Sequence, residues 1–373
     1  MAKKIVLSGG FSGGHLFPLV TVAKYLRKNY GEENFEFLFL GPKGKLESDL
    51  MNKHNIAQKN ILCGKLRRYF SFKYLLDFIK FPVGLFQSFW HLFVYMPDAV
   101  FSKGSFASVP VVLAARAYGI PVIIHESDAV PGIANKFLGS IVQSVAVNFE
   151  RAGDYFPDKK VFLAGLPVKK DVLNGKKEEA RKFLGLKKEV KPVVLFLGGS
   201  QGAYMINKVV VDSIKDMTHY FQVIHQTGES HIEPLKAEMA RKGYKLGHSD
   251  YYPVGFLAEH LNDVIALADV VVSRAGATTI AELAANGKPV ILSPIIYSAN
   301  DHQRINAYEL IKKKAAVVME KKNFNREMLL HSLKEIAFND KKKIELSKNI
   351  RQFYYPDATA KIADKVMELA EKK

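Results

Sequence analysis

One pattern occurs twice in this chain and restricts its fold more than anything else: a short apolar run breaks into glycines and is followed by helical periodicity. Lys4-Ile-Val-Leu-Ser-Gly-Gly is followed by apolar residues at helical spacing from Pro18 to Leu26. About 190 residues later, Val193-Val-Leu-Phe-Leu-Gly-Gly-Ser-Gln-Gly-Ala203 leads into a second helical stretch, Met205 to Ile214. Both read as strand, Gly-rich loop, helix. Further buried-strand candidates are Phe35–Leu40, Ala99–Phe101, Val122–His125, Val145–Asn148, Val161–Ala164, Gln222–His225, Val270–Ser273, Val290–Leu292 and Ala316–Met319. They alternate with helix-length segments, so the fold class is α/β with parallel sheets built from βαβ units. At 373 residues the chain suits two domains. The expectation is a pair of Rossmann-like domains facing across a cleft, joined near Gly165-Leu-Pro-Val, with ligands bound in that cleft. After Pro356-Asp357 a last helix is expected, with Ile362, Ala363, Val366, Met367 and Ala370 as its apolar stripe. Lys341-Lys342-Lys343 reads as a solvated helix face.

Charge narrows the partner. Lys and Arg number 54 against 37 Asp and Glu, a formal +17, which points to an anionic partner or membrane surface. No zinc-finger, helix-turn-helix or RNP pattern accompanies that charge, so nucleic acid is not the expected partner. The single cysteine, Cys63, cannot form an intramolecular disulfide, and the N-terminus lacks a secretory pattern, so a cytoplasmic location is expected. The nearest candidate for a membrane span, the uncharged Phe81 to Met96, is too short to cross a bilayer and carries Pro82, Gly84, Gln87, Ser88 and His91. Between Lys65 and Pro97, however, 11 of 33 residues are aromatic, interleaved with Lys65, Arg67, Arg68, Lys73 and Lys80. That pattern suits a segment lying on an anionic membrane, with the Tyr69–Phe81 half favoured for contact. For Phe86–Tyr95 a buried core helix fits equally well.

Three loops carry the chemistry. Gly9-Gly10-Phe11-Ser12-Gly13-Gly14-His15 lacks both the P-loop and the dinucleotide spacing, yet its glycines let backbone amides approach a phosphate or sugar. His15 opens the helix at a strand's carboxyl end, where a neutral imidazole serves as base or donor. In Gly198-Gly-Ser-Gln-Gly-Ala203, successive amides with Ser200 and Gln201 suit a diphosphate. No D-x-D pair lies beside it, so no metal or other cofactor is expected, and the helix dipole and amides would stabilise the leaving phosphate. The third segment, Ser273-Arg-Ala-Gly-Ala-Thr-Thr-Ile-Ala-Glu282, opens another helix, and Glu282 is placed to accept both hydroxyls of a ribose. Ser298-Ala-Asn-Asp-His-Gln303 gathers side chains suited to a sugar.

Together these residues resemble the MurG family of peptidoglycan N-acetylglucosaminyltransferases. The matching segments are Gly13-Gly14-His15 with Pro18; His125-Glu126 before Pro131-Gly132 and Asn135-Lys136; Gly165-x-Pro167-Val168; and Gly198 to Ala203. Ser273-Arg-Ala-Gly276 with Glu282, Asp301-His302-Gln303 with Asn306-Ala307, and Pro356-Asp-Ala358 complete them. The resemblance implies the GT-B fold: an N-terminal acceptor and membrane-associating domain over residues 1–165, with 352–373 packing back on it, and a UDP-sugar domain over 166–351. It implies a peripheral protein at the cytoplasmic face of the membrane. The reaction implied is inverting, metal-independent transfer from UDP-N-acetylglucosamine to undecaprenyl-diphosphoryl-N-acetylmuramoyl-pentapeptide; a glycolipid synthase acting on diacylglycerol is the alternative. By resemblance His15 and the loop with Asp128 line the acceptor side; His15 and Asp128 are the catalytic candidates, Asp128 either as a general base or only as a different hydrogen-bond partner, since a carboxylate stands there in place of the family's amide. The donor set is Ser12, Gly13, Gly14, Lys169, Ser200, Gln201, Gly202, Leu257, Ala277, Glu282, His302 and Gln303. The chain departs from the family in reading His125-Glu126-Ser127-Asp128 for His-Glu-Gln-Asn, Lys169 for an arginine, and Phe11-Ser12 in the first loop.

Overall fold

The computed structural model describes residues 2–64, 73–186, 191–199, 202–244, 250–295 and 299–372. They form two compact units, Met1–Lys169 with Tyr355–Lys373, and Lys170–Tyr354. In the first, β1 (Lys3–Ser8), β2 (Phe35–Gly41), β3 (Ala57–Asn60), β4 (Ala99–Ser102), β5 (Val122–Glu126), β6 (Ser144–Val147) and β7 (Val161–Leu163) make a sheet ordered β3-β2-β1-β4-β5-β6-β7. Every pairing is parallel; Ile5 of β1, for example, sits opposite Phe37 and Ala99. In the second, β8 (Val193–Leu197), β9 (Gln222–Gln226), β10 (Tyr251–Val254), β11 (Val270–Ser273), β12 (Val290–Leu292) and β13 (Val317–Val318) are ordered β10-β9-β8-β11-β12-β13, again all parallel. These are the α/β sheets expected from the apolar runs.

Strand alternation feeds two cores in the first unit. Ile5, Leu7, Phe37 and Phe101 pack on one face against Leu16, Leu19 and Leu26 of the helix Gly13–Tyr30. Val6, Leu38, Val100 and Ile124 pack on the other against Val111, Val112 and Leu138. The last helix, Ala358–Glu371, belongs to this unit: Ile362, Ala363, Val366 and Ala370 are buried in the first of these cores, and Met367 is partly buried against it. Tyr30 Oη donates to Asp364 Oδ1 (2.8 Å) and Lys3 Nζ to the Ala370 carbonyl (3.0 Å).

Two strands escape the reading of the sequence, and both lie at sheet edges. Ala57-Gln-Lys-Asn60 (β3) is polar because it pairs only with β2 and stays largely exposed. In β10, Tyr251 is buried while Pro253 is tolerated because β9 is the only neighbour. The solvated-face reading of Lys341-Lys342-Lys343 needs amendment, since Lys343 is half-buried and pairs with Asp269 at 2.6 Å.

Among the described residues no helix is long and apolar enough to cross a membrane. Residues 65–72 of the aromatic-rich segment lie outside the described residues. The helix Lys73–Tyr95 follows them, and it presents Phe86 (73% exposed), Trp90 (59%) and Phe93 (63%) to solvent, with Val94 and Met96 beside them. The buried-core alternative for Phe86–Tyr95 is therefore overturned on that face. Leu92, on the opposite side, is buried in the core.

If the terminal helix completes the first core, Ile362→Ala should destabilise that unit by about 2–5 kcal/mol. A guanidinium unfolding midpoint for the first unit indistinguishable from the parent would show that the helix is dispensable to packing.

Candidate functional site

In an open parallel sheet the ligand crevice forms at the carboxyl ends of the strands where strand order reverses. In the first unit that point lies between β1 and β4, and in the second between β8 and β11.

At the first, the chain leaves β1 through Gly9 and Gly10. It passes Phe11 at φ 69°, a conformation costly for a side chain, which the Phe11 amide secures by donating to Glu47 Oε1 at 2.9 Å. Ser12 precedes the helix with extended backbone and makes no side-chain cap. Its carbonyl accepts from the His15 and Leu16 amides (3.1 and 3.2 Å). Gly13 and Gly14 form the first turn, and a Cβ at Gly13 would sit 2.7 Å from the Phe17 ring. His15 is half-buried, and its Nδ1 lies 3.3 Å from the Lys103 carbonyl. A carbonyl only accepts, so Nδ1 carries the proton and Nε2 keeps its lone pair. Burial first, then the positive charge of Lys103, lowers the His15 pKa to about 4, so the ring is neutral at pH 7.

Across the crevice, Glu126 ends β5 and organises the loop after it. Its carboxylate accepts from the Asp128 amide (2.9 Å), the Gly132 amide (3.3 Å) and Asn135 Nδ2 (2.8 Å). Burial pushes its pKa up, as does the charge of Asp128. Asp128 is half-buried beside it. His125 Nε2–H donates to the Gly165 carbonyl (2.8 Å), and burial holds this imidazole neutral. Lys103, absent from the sequence-derived candidates, follows β4 directly and is 1% exposed. Its ammonium donates to Ser127 Oγ, and burial lowers its pKa to about 8. Lys169, expected among donor contacts, ends the first unit with its ammonium 4.2 Å from the centre of the Phe17 ring.

In the second unit, Gly198 and Gly199 leave β8; Ser200 and Gln201 lie outside the described residues. Gly202 closes the turn by donating to the Gly199 carbonyl (3.1 Å). At φ 77° any Cβ there would fall 2.2 Å from the Thr227 carbonyl, so only glycine fits. The helix Tyr204–Tyr220 then starts with no side-chain cap. On the other flank Ala277 opens the helix Ala277–Ala285, again without a side-chain cap, and half-buried Glu282 follows one and a half turns on. Asn325 and Asn339 cap the helices Arg326–Ala337 and Asp340–Ile350 with their side chains. First-turn amides have no intrahelical acceptor, so two uncapped starts beside one crevice leave donors and positive dipole ends for an anion.

Side-chain amides tie these loops together. Gln226, at the end of β9, donates from Nε2 to the Gly199 carbonyl (3.1 Å) and accepts at Oε1 from the Leu257 amide (3.1 Å). One buried residue thus links the first loop to Leu257, and neither periodicity nor motif marked it. Beneath, Tyr251 Oη donates to His225 Nδ1 (2.9 Å), His225 Nε2–H to Asn207 Oδ1 (3.0 Å) and Asn207 Nδ2 to the Thr227 carbonyl (3.0 Å). Burial keeps His225 neutral, with its pKa near 3. Asn306 Nδ2 donates to the Ala275 carbonyl (3.1 Å), and Gln303 Oε1 accepts from the Ile295 amide (3.1 Å), which holds the helix His302–Lys312 against the chain following β11 and β12. Asp301, at φ 56°, pairs with Arg304.

A cavity of about 600 Å³ in the same unit is not this site. It lies at the amino ends of β11 and β12, and its cations are engaged structurally: Lys288 Nζ donates to the Ala266 and Ala268 carbonyls (2.8 Å each), and Lys343 pairs with Asp269. Among the described residues no group of three or more His, Cys, Asp or Glu side chains is placed to hold a metal ion.

With this geometry in view, residues 5–147 match the glycosyltransferase family 28 N-terminal domain and residues 193–362 the family 28 C-terminal domain. A Bacillus cytotoxicus protein named UDP-N-acetylglucosamine--N-acetylmuramyl-(pentapeptide) pyrophosphoryl-undecaprenol N-acetylglucosamine transferase is 35% identical over 370 residues, 99% of this chain and 100% of that protein. A Clostridium perfringens protein of the same name is 37% identical over 341 residues, 91% of each chain. The crystal structure of Acinetobacter baumannii MurG superposes with a TM-score of 0.76 at 25% identity, covering 98% of this chain and 99% of that one. The two parallel sheets have the GT-B fold, and the chain belongs to glycosyltransferase family 28, in the MurG group.

Proposed function

We propose that this enzyme moves N-acetylglucosamine from UDP-N-acetylglucosamine to undecaprenyl-diphosphoryl-N-acetylmuramoyl-pentapeptide, with inversion at the anomeric carbon. The observation that carries this reading is the pair of uncapped helix starts at the switch point of the second sheet, in a chain matched end to end by enzymes named for that transfer. The second unit is read as the donor site. Amides of the Gly198–Ala203 turn and Ala277 receive the diphosphate, with Ser200 and Gln201 from the same loop. The Leu257 backbone meets the uracil, Glu282 accepts the ribose hydroxyls, and His302 and Gln303 face the sugar. The first unit is read as the acceptor site, with His15 and Asp128 at its crevice, while Ser12, Gly13, Gly14 and Lys169 stay candidate donor contacts.

In this reading the acceptor hydroxyl oxygen bonds to the anomeric carbon as the bond to the diphosphate oxygen breaks. The hydroxyl proton passes to His15 Nε2, which the Nδ1–H bond to Lys103 leaves free to receive it. The charge that builds on departing UDP is met by fixed amides and two helix dipoles, which need no reorganisation during the reaction. Asp128 stands beside this crevice as the second candidate base.

The location follows from the acceptor. Phe86, Trp90 and Phe93 on the helix Lys73–Tyr95 form an exposed apolar face larger than a scattered surface residue explains, and it supports peripheral attachment to an anionic membrane on its cytoplasmic side.

Glu282→Ala should raise the KM for UDP-N-acetylglucosamine about tenfold or more while changing kcat less, in line with loss of a charge-assisted hydrogen bond; an unaltered KM would remove the ribose role. Replacing Phe86, Trp90 and Phe93 together by Ser should reduce co-sedimentation with phosphatidylglycerol-containing vesicles, and retention equal to the parent would locate attachment elsewhere.

A further inference from the structure

We propose that Lys103 is a positioning residue of the first crevice, its ammonium fixing the Ser127 hydroxyl and its carbonyl fixing the His15 ring. The proposal rests on the reading of that crevice as the acceptor site. Lys103 emerges from β4 at the switch point, where its amide donates to the Ser8 carbonyl at the end of β1 (2.8 Å). It therefore bridges the strand that delivers His15 and the loop that carries Ser127 and Asp128.

Burying an ammonium is expensive unless its protons are used and its charge is met, and here the charges of Glu126 and Asp128 favour it against the cost of burial. The adjacent Glu126 carboxylate is committed to the Asp128 and Gly132 amides and to Asn135. The bond the ammonium makes is to Ser127 Oγ. An ammonium can only donate, so the Ser127 oxygen accepts and its own hydrogen is turned away from Lys103. Ser127 is half-exposed and its carbonyl is held by Asn148 Nδ2 (3.0 Å), so both ends of the residue are fixed. The hydroxyl is then offered as a donor to an oxygen of the bound acceptor.

On its other side, the Lys103 carbonyl holds the proton of His15 on Nδ1. One residue thus sets a hydroxyl donor and an imidazole acceptor for the same substrate. The charge acts in the same direction: with Asp128, Glu126 and His125 as the other titratable groups around the crevice, Lys103 opposes protonation of His15.

The test uses the full-length enzyme with UDP-N-acetylglucosamine and undecaprenyl-diphosphoryl-N-acetylmuramoyl-pentapeptide. Lys103→Met, which keeps the stem and removes the charge, should lower kcat about tenfold or more. It should leave the KM for UDP-N-acetylglucosamine unchanged and move the acid limb of the kcat profile to higher pH, because a neutral neighbour lets His15 protonate earlier. Ser127→Ala should lower kcat similarly without moving that limb. Parental kcat in both variants overturns the proposal, as does a fall in kcat for Lys103→Met with an unmoved acid limb. If Lys103→Met does not fold, Ser127→Ala decides alone: reduced kcat supports the role and parental kcat overturns it. Failure of the parent enzyme to glycosylate this acceptor would instead reject the functional reading beneath it.

Discussion

The constraint from which the rest follows is that every paired strand in each sheet runs the same way. Parallel strands place all their carboxyl ends on one rim, and each rim must then absorb the chain turning into the next helix. At the two switch points those turns diverge, and the first-turn amides of the helices that follow have no acceptor within their own helix. Gly202 and Gly104 show how little room remains: a Cβ at either would fall 2.2 Å from the Thr227 carbonyl or 2.0 Å from Asn135 Oδ1. Glycine at these turns lets the backbone pass where no side chain fits.

The two rims handle charge differently, and the division matches the chemistry assigned to each. The first gathers ionisable groups out of solvent: Lys103, Glu126 and His125, with His15 beside them. Such a cluster suits the movement of a proton, because small changes in charge alter which group holds it. The second ties its loops together with neutral side chains. His225 is kept uncharged by burial, and Gln226 supplies an amide that stiffens the loops without adding charge. Fixed dipoles suit a diphosphate, whose charge must be met without a competing proton.

The inner strands were legible because they are continuous apolar runs, as burial on both faces demands; Val193–Leu197 and Val270–Ser273 are examples. The edge strands were not. β3 has no second neighbour and needs no apolar face, and β10 contains a proline, which argues against a central strand. The Gly-rich turns and the helix starts of the candidate site were legible because both have sequence signatures. Lys103 and Gln226 escaped because each works as a single side chain whose partners lie distant in sequence, Ser127 and Leu257 respectively. A lysine after a short apolar strand looks like any surface lysine until the sheet order shows that it emerges between β1 and β5.

The account stands most directly on where the sugar nucleotide binds. A crystal structure of the protein soaked with UDP-N-acetylglucosamine should show the diphosphate against the amides of the Gly198–Ala203 turn and Ala277, with the ribose hydroxyls on Glu282. Density for the nucleotide in the crevice between β1 and β4 instead, or none at saturating concentration, would contradict it.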